Sequence, residues 1–418
     1  MAAQTQIGLV LAGGGVRGAY EVGALSALAP VLEARGEQPR VIVGTSVGAL
    51  NGAYLAANAQ RPLGEAVAGA VEVWRTMDYG DVLRPVLSVR ELGRLLRYLA
   101  DVVGLPAPDV PSVLDTAPLA ATLERLISFE QLERNVTAGV VSSAAVVATS
   151  YASTRSVVFH DGGPNPPADA ARAIDYAATP LGAVHVRASA AIPALFGAIE
   201  ITEPPAAAGW YCDGGIRLNA PLKPALALGA DRVVVIALNS SRTPAGVITG
   251  RPDVIDGVAQ LLQTVLADQL ADDVATLAEI NDALAARARA SSRAGARTAT
   301  AASTRARSPA RPSRRPHRQI PYVLIAPEDR FAIGRLATSV YERSYDSRRA
   351  LLRSPDVALF GRVIEGSRNP IHGELLSYLF FAHEFIDELI ELGRRDAERW
   401  LAVAHDDGPW QHGQLASY

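Results

Sequence analysis

Ile7–Ala12 is a short apolar run closed by three glycines, the pattern of a strand buried on both faces. The period then changes. Tyr20, Leu25, Leu28, Val31 and Leu32 fall at helical spacing between Gly18 and Leu32, and this helix should end before Gly36. Val41–Val43 predicts a second buried strand and Val47–Ala57 a second helix, rich in small residues. Strand, helix, strand, helix in this order argues for a parallel, doubly wound sheet. Further along, Val136–Tyr151 is rich in Val, Thr and Ser and reads as strand, with Arg155–Gly162 as its hairpin partner. Gly209–Gly215 is a short strand cut off by glycines, and Asp231–Leu238 is a buried strand after a helix over Pro221–Leu228. The last third is mostly helical, with one helix expected over Gly373–Ala404. The fold class is therefore α/β: a mostly parallel central sheet flanked by helices, with a helical C-terminal region.

Two segments depart from this pattern. Ala288–Arg318 has many Arg, no acid and almost no large apolar residue, so it is expected to be a disordered insertion. It is either a solvated linker or an electrostatic tether to anionic lipid. Ser88–Leu105 reads as an amphipathic helix with Leu92, Leu95, Leu96, Leu99, Val102 and Val103 on one face and Arg90, Arg94 and Arg97 elsewhere. Such a helix packs on a core, or covers a lipid pocket at a membrane surface.

Composition narrows the picture. Across 418 residues, 49% are apolar and 20% charged, as in a globular protein with a sizeable core. A net charge of −3 gives no overall attraction to nucleic acid. The single cysteine, Cys212, excludes an internal disulfide and a cysteine-based metal site, and reads as a small buried hydrophobe. The first residues lack the basic and apolar regions of a secretory signal, and no stretch approaches the ~18 uninterrupted apolar residues of a spanning helix. A cytoplasmic protein is expected, with peripheral membrane contact through the segments just named.

The candidate chemistry begins at the first loop. Gly13, Gly15 and Gly18 match G-x-G-x-x-G, the dinucleotide fingerprint, which would make the chain an oxidoreductase. That fold also needs an acid at the end of the second strand to hold a ribose. Here Gly44-Thr45-Ser46-Val47-Gly48 stands in that place. G-x-S-x-G between a strand and a helix is a nucleophile elbow, raising the Ser46 hydroxyl over a helix N-terminus. A serine that attacks an ester builds an oxyanion, and the amides of Gly13, Gly14, Gly15 and Val16 form a donor loop on the neighbouring strand end. Of the histidines, His160, His185, His317, His372, His383, His405 and His412, none sits in a motif at a strand end. Asp213, before Gly214 and Gly215, is the better base, although the same Asp could simply close a turn. Arg17 holds the loop or a lipid phosphate, while Asn219 and Pro221 are expected to cap the next helix.

"GGGVRG" (Gly13–Gly18), "GTSVG" (Gly44–Gly48), "ASAAIPALF" (Ala188–Phe196) and "DGGIRLNAPL" (Asp213–Leu222), in this order and spacing, resemble the patatin-like phospholipases of bacterial type. The likeness covers about Gly8 to Leu238, and Leu379–Ala397 also looks like bacterial members. It implies a patatin-like catalytic domain over 1–326, interrupted by the Arg-rich insertion, with the helical region 327–418 packed on it. It implies lipid acyl hydrolysis by a Ser46–Asp213 dyad, as phospholipase A or lysophospholipase, on a phospholipid or other lipid ester. It also implies an oxyanion hole at Gly13–Val16 with Arg17 at its basic position, and chemistry without metal or cofactor. Gly18, Gly44, Gly48, Gly214 and Gly215 complete the motifs. The alternative is a non-catalytic lipid-binding or interaction protein on the same fold.

Overall fold

A computed structural model describes residues 5–84, 114–193, 195–240, 270–298, 318–345, 370–403 and 405–414. Strand β1 (Ile7–Leu11) is wholly buried and lies between β2 (Pro39–Thr45) and β8 (Arg232–Ile236), parallel to both. On one side β2 continues to β3 (Ser143–Ser150), and on the other β8 continues to β9 (Tyr322–Ile325), again in parallel. Beyond β3 the direction reverses: β4 (Ser156–Gly162) is antiparallel to β3, and β5 (Ile174–Ala178) runs parallel to β4. The resulting order is β5-β4-β3-β2-β1-β8-β9. Its central strands read as continuous apolar runs because helices cover both faces.

The short hairpin of β6 (Ile199–Ile201) and β7 (Gly209–Asp213) decides where the site falls. β2 pairs with Ser143–Val147 of β3, and β7 pairs antiparallel with Ala148–Ser150. Since β4 occupies the other edge of β3 through Thr149, β7 follows β2 along the same edge. The two strands run toward each other and meet end to end, β2 finishing at Thr45 opposite Val147 and β7 at Asp213 opposite Ala148. Ser46, which follows β2, and Asp213, 167 apart in sequence, become neighbours because a mixed sheet lets two strand ends share one edge.

In chain order the helices are α1 (Gly18–Ala34), α2 (Val47–Ala57), α3 (Leu63–Thr76), α4 (Tyr79–Val82), α5 (Ala117–Leu126), α6 (Phe129–Thr137) and α7 (Ala183–Ser189). There follow α8 (Gly215–Leu218), α9 (Leu222–Ala227), α10 (Leu270–Thr298), α11 (Ala332–Ser344), α12 (Pro370–Leu379) and α13 (His383–Ala402). α13 lies along α1 with backbones nearly touching: a Cβ on Gly393 would stand 2.0 Å from the Tyr20 carbonyl oxygen, and one on Gly23 2.1 Å from that of Ile390. The Tyr20 hydroxyl donates to Asp396 Oδ2 at 2.8 Å inside this contact.

Three expectations change. Val136 and Thr137 end α6 and are not strand; Ser128 caps that helix by accepting the Gln131 N–H, and β3 starts only at Ser143. The expected helix over Gly373–Ala404 is two helices, broken at Phe380–Ala382, where three apolar residues turn into the core. Phe380 packs against Tyr341, Tyr345 and Phe385, a tertiary reason for a break that no Gly or Pro marks. The Arg-rich insertion is not disordered from residue 288: α10 continues to Thr298. Ala and Arg are strong helix formers, and the helix is anchored earlier by buried Val274, Leu277, Ala278 and Asn281. The rest of that insertion, 299–317, and the amphipathic segment expected over 88–105 lie outside the described residues.

Candidate active site

Ser46 stands between β2 and α2 with φ 53° and ψ −121°, a left-handed conformation in which a side chain is strained. The elbow is held by close backbone packing. A Cβ on Gly44 would lie 2.0 Å from Gly48 O, and one on Gly48 2.5 Å from Leu11 O. These two positions admit only glycine, because the strand end, the helix start and the end of β1 meet there. A third support was not legible in the sequence: Ser46 N–H donates to Ser189 Oγ at 2.8 Å, and that hydroxyl donates to Val147 O at 2.6 Å.

The Ser46 hydroxyl donates to Asp213 Oδ2 at 2.6 Å. Asp213 is 1% exposed, and its other oxygen accepts the Gly215 N–H at 2.7 Å. Burial pushes the Asp213 pKa up to about 6, opposed by those two hydrogen bonds. The result is a carboxylate able to hold a proton near neutral pH. Gly214 lets the chain pass β3: a Cβ there would meet Val147 O at 2.3 Å. The histidines whose side chains are described, His160, His185, His383, His405 and His412, are all engaged elsewhere. Nδ1 of the buried His185, for instance, accepts the Gly182 N–H, while His405 stacks on Trp400.

The glycine loop follows β1 beside the elbow. Gly13 differs from the expectation of a free oxyanion donor. Its N–H is shared between the Asn219 side-chain oxygen at 3.1 Å and the Asn219 backbone carbonyl at 3.2 Å, and its own carbonyl accepts from Asn219 Nδ2 at 3.1 Å. Asn219 thus clasps the loop and does not cap α9; the N-cap there is Pro221. Gly14 is extended, while Gly15 is left-handed with φ 59° and Val16 is buried. Among the described residues no acceptor binds the N–H groups of Gly14, Gly15 or Val16. Gly18 opens α1 against the Val47 side chain.

Arg17 is enclosed, not directed at the pocket. It is 1% exposed, donates to Glu374, Ser377 and Asn239, and lies 4.2 Å over the ring of Tyr378. Of the two roles open to it, the loop is the one it serves; a lipid phosphate has no access. Cys212 is buried, its Sγ facing Thr149 O, and burial and the nearby Asp213 push the thiol up to about 11.

Above Ser46 opens an apolar pocket of about 570 Å³, counting its mouth. Its lining includes Gly15, Ser46, Leu50, Trp74 and Met77 and, from the C-terminal region, Tyr378, Leu379 and Phe381. Its apolar lining suits an alkyl chain.

A serine on a strand–helix elbow, hydrogen-bonded to a buried carboxylate beside an apolar pocket, is an arrangement that suits acyl-ester chemistry. Residues 9–226 match the family model for patatin-like phospholipase, and the chain belongs to that family. Comparison with curated proteins gave no match. Among solved structures, VipD from Legionella pneumophila is similar at 15% identity, over 62% of this chain and 53% of that one, with a TM-score of 0.28. The chain thus aligns with about half of that protein's length.

Proposed function

We propose that this protein hydrolyses fatty-acyl esters of phospholipids or lysophospholipids, as a phospholipase A or lysophospholipase with a Ser46–Asp213 dyad. The observation that carries the reading is the 2.6 Å hydrogen bond from the strained Ser46, which lines an apolar pocket, to the buried carboxylate of Asp213. In this scheme Asp213 takes the Ser46 proton as Oγ attacks the ester carbonyl. The oxyanion is stabilised by the N–H groups of Gly14, Gly15 and Val16 and by the first turn of α2. Collapse of the tetrahedral intermediate expels the alcohol, which takes the proton back from Asp213. Water, deprotonated by the same carboxylate, then attacks the acyl-enzyme; the bond to Ser46 Oγ breaks, the fatty acid leaves, and Oγ takes the proton back from Asp213. The pocket takes one acyl chain while the head group stays at its mouth, which would work at a membrane surface.

The test is labelling with a fluorophosphonate together with fatty-acid release from phosphatidylcholine vesicles and lysophosphatidylcholine. Wild type should label and release fatty acid. Ser46→Ala should do neither, and Asp213→Asn should lose at least about 100-fold in rate while keeping its fold. A Ser46→Ala protein as active as wild type would end the dyad reading. A folded wild type that neither labels nor hydrolyses would leave a lipid-binding fold.

A further inference from the structure

The family match ends at residue 226, yet the donor loop is held by residues far beyond it. The Arg17 guanidinium is fully enclosed: Nε donates to Ser377 Oγ at 2.8 Å, Nη1 to Asn239 Oδ1 at 3.2 Å, and Nη2 to Glu374 Oε2 and Ser377 Oγ, both at 2.6 Å, and to Glu374 O at 2.8 Å. The Arg17 and Glu374 side chains are 1% and 5% exposed. Glu374 uses its second oxygen, Oε1, to accept the Gly334 N–H of α11 at 2.8 Å. One carboxylate therefore joins the donor loop, α11 and α12. The same helix presses on the loop directly, since a Cβ on left-handed Gly15 would lie 2.1 Å from Tyr378 O.

From this we infer that Glu374 is a positioning residue: through Arg17 it sets the placement of the Gly14–Val16 amides relative to Ser46. The inference rests on the hydrolase reading above. A buried charge pair is a weak source of net stability, but it is directional, and losing one partner leaves the other charge uncompensated. Placement of oxyanion donors matters chiefly in the transition state, so the cost should fall on kcat and spare KM. The neutral isostere Glu374→Gln cannot accept from both Arg17 and Gly334 without turning its amide N–H groups on one of them.

The experiment compares wild type, Glu374→Gln, Ser377→Ala and Ser46→Ala on a soluble fatty-acyl ester, per active site titrated with fluorophosphonate. It adds the affinity for an alkyl trifluoromethyl ketone, which forms an oxyanion when a serine adds to it. Glu374→Gln should lose on the order of 10- to 100-fold in kcat with KM within about 2-fold, and ketone affinity should weaken in parallel. Ser377→Ala, a milder change that keeps both charges, should follow the same line with a smaller loss. It keeps the inference testable if Glu374→Gln does not fold. Folded variants with wild-type kcat and ketone affinity per active site would overturn the positioning role while hydrolysis stood. A wild type no more active than Ser46→Ala would remove the hydrolase reading, and the positioning role with it.

Discussion

In the proposed dyad, Asp213 faces two opposed demands. A base must be ionised to take the Ser46 proton, so kcat/KM should rise with pH through about 6 and level off above it. The effect on stability has the opposite sign. The group's ordinary pKa is 3.8 and its folded value about 6, so the folded state holds the proton more tightly than the unfolded chain. That contribution is complete below about pH 3.8 and is lost as pH rises through about 6. At pH 8 the buried charge then costs up to about 3 kcal/mol. Asp213→Asn, uncharged at every pH, should therefore melt above wild type at pH 8, with the difference closing at pH 4. Calorimetry at the two pH values checks this, and equal melting points at pH 8 would remove the idea of a strained base. Ser46, Asp213 and the burial of Cys212 were legible at this scale because motif and strand-end position carry them. Ser189 lies in the motif Ala188–Phe196, but its role was not legible, because its bonds reach residues 143 and 42 positions away.

At the scale of elements, the loop after β1 is held by Asn219, which follows α8. Sequence reasoning placed Asn219 as a cap because Asn before a helix most often is one. Only the meeting of β7 with β2 puts its amide against Gly13. Asn219→Ala leaves the Gly13 C=O without its side-chain donor, while the Gly13 N–H keeps the Asn219 backbone carbonyl, and should cost roughly 1–3 kcal/mol of stability. It should also lower kcat on the order of 10-fold, measured by urea titration alongside steady-state kinetics. The boundaries that moved have the same origin. The break at Phe380–Ala382 follows from aromatic packing, and the long α10 from helix propensity anchored by a buried first half.

For the whole molecule, the C-terminal helices are part of the working protein. α13 docks on α1 by backbone contact, α12 grips the glycine loop through Arg17, and Tyr378, Leu379 and Phe381 line the pocket. Gly393→Ala puts a methyl group 2.0 Å from the Tyr20 carbonyl oxygen, so it should separate α1 from α13 and destabilise by roughly 1–3 kcal/mol or more. A lower denaturation midpoint, with fluorophosphonate labelling intact well below it, is the expected pair of results. An unchanged midpoint would mean that the helices repack freely. Among the described residues no helix is long and apolar enough to cross a membrane.

The sequence by itself determined the α/β class, the parallel order of its opening units, the elbow at Ser46 and the acid at Asp213. Each of these is written in a local pattern: a period of burial, a glycine spacing, or a residue at a strand end. Only the tertiary structure decided what those residues touch. It turned Arg17 inward to Glu374, gave Gly13 to Asn219, and set Ser189 under the elbow. The physical reason is that hydrogen-bond partners hundreds of residues apart are chosen by which strand ends share an edge and which helices can approach closely. Neither choice leaves a mark in the local order of apolar and polar side chains.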